Sequence, residues 1–162
     1  MVKQDIRDEI EEVSKSYGFD PNLIESFVIT ESSGNSLATR YEPAFYRTYI
    51  LPMLHHNAVT VEEAKNRATS WGLMQIMGQV ARELGFKDSF HELLIPGIGL
   101  FWSCKHLKNK FKKYGDRGLD YVIASYNAGS PRKNDNGLFY NQKYVDKVNS
   151  YLIKIKAEHS NG

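Results

Sequence analysis

Apolar residues recur along this chain at spacings of three and four, the period of a helix with one buried face. Ile6, Ile10, Val13 and Tyr17 form a first stripe, closed by Gly18 in a C-cap position. Asp20 and Pro21 read as an N-cap followed by proline at the first helical position, opening a helix that carries Ile24, Phe27 and Val28 inward. Residues 36–58 are irregular in pattern and bracketed by Pro43 and Pro52, with a short helix predicted over 43–54. Thr60 and Glu63 match a capping box and start a helix through residue 69. Ser70 caps the next predicted helix, "WGLMQIMGQVARELG", which ends at Gly85. A brief turn of helix follows Asp88, and a long helix spans 96–114 with the stripe Ile98, Phe101, Cys104, Leu107 and Phe111. Helices over 119–127 and 142–156 complete the series, the last turning Tyr144, Val148, Tyr151, Leu152 and Ile155 inward.

The pattern contains no strand run of any length, no repeat and no low-complexity linker. A small hairpin within 36–58 or 130–140 is the one strand-like possibility. The expected architecture is all-α: a single domain over 1–162, roughly seven to nine helices around a cleft, with longer loops after Glu31 and Asn127.

Composition narrows function mainly by exclusion. A net charge of +2 gives no argument for nucleic acid, though it is compatible with an anionic polymer. The lysines at 105, 108, 110, 112 and 113 lie off the apolar stripe of their helix and read first as a solvated face, with polymer attraction as the alternative. A single cysteine permits no internal disulfide, and Cys104 on its stripe reads as a small buried hydrophobe. No segment approaches the ~20 apolar residues of a membrane span, so stable membrane insertion is not expected. The opening "MVKQDIRDEIEEV" is charged throughout and shows no apolar signal core. His55 and His56 are adjacent and would splay apart on a helix, and no His-Glu-x-x-His spacing occurs, so neither a metal nor another cofactor is expected.

One position breaks the apolar logic. The stripe Ile24, Phe27, Val28 continues at helical spacing directly onto Glu31, after which Ser32, Ser33, Gly34 and Asn35 stop the helix. A helix C-terminus is the electrostatically wrong end for a carboxylate. Burial there penalises the charged form and raises the pKa, which suits a general acid for glycosidic-bond cleavage. The plain alternative is a helix-end residue whose carboxylate reaches water.

Three other stretches bear on that choice: "SWGLMQIM" (70–77), "ASYNAG" (124–129) and "YVDKV" (144–148). Together with "ESSGN", in this order, they resemble the lytic transglycosylases of the soluble-lytic-transglycosylase type, in the wider goose-type lysozyme superfamily. The resemblance covers about residues 16–152 and implies a lysozyme-like fold acting on peptidoglycan glycan strands. It implies that Glu31 is the catalytic acid and base, with Ser32 beside it in the cleft. Met74 and Gln75 would line the sugar subsites, Tyr126 would hold its hydroxyl near the Glu31 carboxylate, Asn127 would face substrate, and Tyr144 would border the cleft. Met74 and Tyr144 could equally be core residues.

In that family one glutamate protonates the bond between N-acetylmuramic acid (MurNAc) and N-acetylglucosamine (GlcNAc), then takes a proton from the muramyl 6-hydroxyl. A 1,6-anhydro ring closes without water. Goose-type lysozymes carry aspartates between the catalytic glutamate and the "GLMQ"-like motif, whereas residues 21–87 here contain none, which favours the one-acid route. Glu42, in "TRYEPAFYR", is the exception: a second carboxylate or substrate contact, or a surface group paired with Arg40 or Arg47.

The chain departs from the family pattern in the long separation of Glu31 from Gly72, whose excess over 41–69 could form a lid, a cleft wall or a docking surface. "SPRKNDNG" also replaces the usual glycine-proline continuation after "YNAG". A muramidase using water and a non-catalytic glycan-gripping module are the competing readings. The missing signal core leads to the expectation of a bacteriophage enzyme, delivered to the cell wall as an endolysin or virion component, and acting as a monomer.

Overall fold

The computed structural model describes residues 1–54, 56 and 59–161; His55, Asn57, Ala58 and Gly162 lie outside the described residues, and with them the expectation about the His55–His56 pair. The architecture is all-α with a minor sheet, as the patterning predicts. Helix α1 (Gln4–Tyr17) buries Ile6, Ile10 and Val13 and is capped by Gly18. Helix α2 (Pro21–Ser32) starts where Asp20 accepts a 2.9 Å bond from the Asn22 N–H, and ends as Ser33 turns left-handed at φ 54°. Ile24, Phe27 and Val28 are fully buried.

Beyond α2 come β1 (Thr39–Tyr41), α3 (Pro43–Phe45), a π-helical turn (Tyr46–Ile50) and α4 (Leu51–Leu54). Helix α5 (Val61–Arg67) follows, with the Thr60 hydroxyl accepting from the Glu63 N–H at 3.1 Å. The reciprocal half of that capping box is absent, because the Glu63 carboxylate pairs with Arg67 and Arg82 at 3.0 and 2.8 Å.

The helix expected to begin after Ser70 does not form there. Strands β2 (Thr69–Trp71) and β3 (Ile76–Met77) make a hairpin instead, and helix α6 covers only Gly78–Glu83. The cause lies in the backbone: Gly72 and Gln75 sit at φ 73° and 51°, outside the right-handed helical region. A β-carbon on Gly72 would stand 2.5 Å from the Leu93 carbonyl oxygen, so only glycine fits this turn. Strand β1 adds to β2 in antiparallel register, Arg40 opposite Ser70, giving the sheet order β1-β2-β3. The strand in 36–58 is therefore paired with a distant segment rather than folded into a local hairpin. In 130–140 a single antiparallel bridge joins Lys133 and Phe139.

A 3-10 turn (Phe90–Leu94) leads into α7 (Pro96–Tyr114), followed by α8 (Leu119–Ala128) and α9 (Gln142–Ser160). The buried face of α7 is Leu100, Cys104, Leu107 and Tyr114, rotated from the predicted stripe. Phe101 is exposed and packs on Tyr17 at 5.7 Å between ring centroids. On α9, Val145, Val148, Leu152 and Ile155 are buried, while Tyr144 and Tyr151 are half-buried. The principal core joins α1, α2, α7, α8 and α9 and takes in Leu73 and Met74 from the hairpin turn. A second cluster packs Trp71, Ile76 and Phe86 near Phe90 and Leu93, and a third centres on Ile50, Ala64 and Ala68.

At the foot of the helices Arg7 pairs with the buried carboxylate of Glu25, which also accepts from the Val2 N–H at 3.1 Å. This ties α1 to α2, since a buried charge left unpaired is strongly destabilising. No helix of the described residues is long and apolar enough to cross a membrane.

Candidate active site

A cleft of about 790 Å³ opens where the C-terminal end of α2, the sheet, and helices α6, α7 and α8 meet. Glu31 lines it, one helical turn beyond the fully buried Phe27 and Val28. Its carboxyl is pushed up from 4.5 to about 7, above all by burial. Three influences act the other way: a hydrogen bond from Tyr144, then the positive charges of Lys147 and Arg40. Burial wins. The net displacement corresponds to about 3 kcal/mol favouring the protonated form, so near neutral pH the group is poised between acid and base.

Tyr144, on the first turn of α9, donates its hydroxyl to Glu31 Oε1 at 2.6 Å. The resemblance implies a Tyr126 hydroxyl near this carboxylate; Tyr126 shares the cleft with Glu31, but the hydroxyl that bonds the carboxylate is that of Tyr144. The Tyr126 hydroxyl donates to the Met74 carbonyl at 2.8 Å, while its ring lines the cleft and packs on Phe27. Tyr126 still feels the Glu31 carboxylate, for its pKa is raised first by burial and then by that charge. Tyr144, also raised by burial and by Glu31, braces the carboxyl without lining the cleft itself.

The remaining candidates divide. Gln75, Glu42 and Asn127 line the cleft with Glu31 and Tyr126. Ser32 and Met74 do not: Ser32 Oγ bonds the carbonyls of Leu73 and Val28 at 2.8 and 3.1 Å, which ties α2 to the hairpin turn. The Met74 side chain is fully buried in the principal core, so its place in the motif reflects packing and its carbonyl's bond to Tyr126. Gln75 Nε2 donates to the carbonyls of Ala38 and Gly72, both at 3.0 Å. Both N–H donors are thereby used, and the amide oxygen remains as acceptor for a sugar hydroxyl or acetamido N–H. The left-handed backbone at Gln75 is the kind of strain that persists where it aims a functional side chain.

Asn127 Oδ1 accepts from Asn141 at 3.0 Å at the end of α8. Glu42 pairs with Arg40 at 2.9 Å in a largely exposed ion pair, and has no ion pair with Arg47 among the described residues.

The sequence reading missed most of the α7 wall. His106, Asn109, Lys110 and Lys113 occupy i, i+3, i+4 and i+7 and face the cleft together. His106 packs on Tyr126 at 5.2 Å, and burial, with help from Lys110, pushes its pKa down to about 4, so the ring is neutral at pH 7. The signal was their shared helical spacing, offset from the buried stripe, within residues that read as solvated lysines. Phe45 and Tyr49 also reach the cleft, which makes the segment after β1 one of its walls. Cys104 is fully buried, its thiol pushed up to about 12 by burial, and takes no part.

Residues 8–148 match the family described as Transglycosylase SLT domain, and the chain belongs to that family. It is a peptidoglycan lytic transglycosylase. No curated protein and no solved structure matches the chain.

Proposed function

We propose that the enzyme cleaves the β-1,4 bond between MurNAc and GlcNAc with Glu31 as its one catalytic carboxyl, releasing 1,6-anhydro-muramyl ends. The carrying observation is the setting of Glu31: a carboxyl raised to about 7 by burial, whose charged neighbours, Lys147 and Arg40, are both cations. A glycosidase of the two-carboxylate type holds a second acid across the scissile bond. The other acids lining the cleft are Glu42, in a largely exposed ion pair with Arg40, and Glu83, which accepts from Gln79 at 3.0 Å, and neither is among the groups that shift Glu31.

In the first step the protonated Glu31 gives its proton to the bridging oxygen, and the bond from that oxygen to muramyl C1 breaks. The sugar's own acetamido group shields the positive charge developing at C1. The Glu31 carboxylate then removes the proton of the muramyl 6-hydroxyl, and that oxygen bonds C1. Glu31 is thereby reprotonated and no water is consumed. Tyr144 steadies the carboxyl through both halves, and Gln75, Tyr126 and Asn127 contact the glycan. Burial of Met74 and the backbone bonds of Ser32 are consistent with supporting roles.

Mass spectrometry of digested peptidoglycan tests this. The expected products lack one water relative to hydrolytic products, and Glu31→Gln is expected to lower turnover by about 10²–10⁴-fold while still binding glycan. Fully hydrated reducing ends would favour the second reading, a muramidase in which Glu42, the other carboxylate near the β1 end of the cleft, activates water. Unchanged lysis by Glu31→Gln would remove Glu31 from the chemistry altogether.

A further inference from the structure

The α7 wall carries more positive charge than a neutral sugar chain requires. Lys110 is half-buried, and its Nζ donates to the carbonyl of Gly129 at the C-terminal end of α8 at 2.8 Å. Lys113 lies one turn further along the same face, its Nζ 5.3 Å from the Tyr114 ring. The two ammonium groups are close enough that Lys113 disfavours the charged form of Lys110, in addition to burial. Among the described residues no carboxylate forms an ion pair with either one. Asn109 stands beside them in the cleft wall, and His106 adds a neutral ring. Lys113 and Asn109 are exposed, so two like charges stand side by side at the solvent edge of the cleft with no carboxylate paired to either, a cost that an incoming anion would relieve.

Hydroxyl and acetamido groups do not supply such an anion. The substituent on the muramyl lactyl arm does. It is a peptide with free carboxylates or, where the peptide has been removed, the lactyl carboxylate itself. We propose that Asn109, Lys110 and Lys113 form a carboxylate-binding subsite for the arm that projects from the muramyl sugar, so that the enzyme recognises acid-bearing glycan rather than the sugar backbone alone. This rests on the peptidoglycan reading of the same cleft. Hydrogen bonds from lysine ammoniums to a carboxylate are charge-assisted, the stronger class of such contacts.

The test measures binding in the Glu31→Gln background, where turnover does not interfere, with three ligands of equal sugar length. These are a peptide-bearing glycan fragment, the same fragment stripped by an amidase, and a GlcNAc oligomer with no lactyl arm. The peptide-bearing fragment is expected to bind ~10-fold or more tightly than the GlcNAc oligomer. Adding Lys110→Gln with Lys113→Gln is expected to bring that ratio close to one. Because Lys110 also joins α7 to α8, Lys113→Glu alone, which keeps that bond, is expected to lower the ratio, and Lys113→Arg to restore it. Loss confined to the peptide-bearing fragment identifies the peptide carboxylates as the source. Parallel loss on the stripped fragment identifies the lactyl carboxylate. Either result supports the subsite.

A ratio that no variant moves, or equal weakening on all three ligands, overturns it while leaving the glycan-binding cleft intact. No binding of any ligand overturns both. Normal, charge-sensitive binding by an enzyme that yields only hydrated products overturns the anhydro chemistry and leaves the subsite standing.

Discussion

At Glu31 two opposed effects meet in one side chain. Burial raises its proton affinity, and the Tyr144 hydroxyl, 2.6 Å from Oε1, lowers it by favouring the ionised form. Replacing Tyr144 by Phe removes the lowering influence, so the alkaline limb of the pH–rate profile is expected to move to higher pH. A limb that stays in place or moves down would show that Tyr144 does not tune the acid.

The same residue affects stability. Its pKa is about 7 folded against 4.5 as the reference, so the folded state holds more proton than the unfolded state between those values. Stability contributed at this site therefore falls as pH rises from about 4.5 to about 7 and is level above that. Glu31→Gln escapes this loss and is expected to be more stable than wild type at pH 8, by at most about 3 kcal/mol, with the gap closing below pH 4.5. Urea unfolding at the two pH values reads it directly. Glu31 was legible in the sequence because a carboxylate on an apolar stripe is conspicuous. Which tyrosine would reach it was not, since Tyr126 and Tyr144 come from different helices and only packing decides between two hydroxyls.

Among the elements, the hairpin of β2 and β3 departs furthest from the sequence expectation. Strands of three and two residues are too short to show an alternating pattern, and "WGLMQIM" fits a helical period equally well. What breaks the helix is backbone geometry at Gly72 and Gln75, which hydrophobic spacing does not encode. The expected consequence of Gly72→Ala is a loss of about 2–4 kcal/mol, combining strain at positive φ with collision against the Leu93 carbonyl. Turnover is also expected to fall as the Gln75 amide loses its place. Thermal unfolding together with kcat separates this from a purely local change; a variant as stable and active as wild type would show that the turn tolerates a side chain.

Helix α7 gives the complementary lesson. Its limits coincide with the predicted 96–114, yet its buried face is rotated from the predicted stripe. With Leu, Phe and Ile scattered around the whole circumference, several stripes compete, and neighbours choose among them.

Across the whole molecule, the all-α architecture was readable because five amphipathic helices, α1, α2, α7, α8 and α9, each carry their own caps or periodic stripes and share one core. The cleft was readable only as a set of motifs, because its walls come from segments distant in sequence. The segment after β1 was legible as helix over 43–54, which its successive helical turns cover, while its choice among lid, cleft wall and docking surface depended on packing the pattern does not encode. It packs on a separate small cluster around Ile50, Ala64 and Ala68 and offers Phe45 and Tyr49 to the cleft from there.

One further consequence follows from the way Glu31 is held. Its acidity is set by how little water surrounds it, and a sugar chain lying in the cleft removes more of that water. Occupancy and protonation are thus linked quantities: ligand binding near pH 7 draws a fraction of a proton out of the buffer. Calorimetric titration in two buffers of different ionisation heat is expected to give binding enthalpies that differ by that uptake, and Glu31→Gln is expected to abolish the difference. Identical enthalpies for the wild-type enzyme would mean that the empty cleft is already as dry as the filled one.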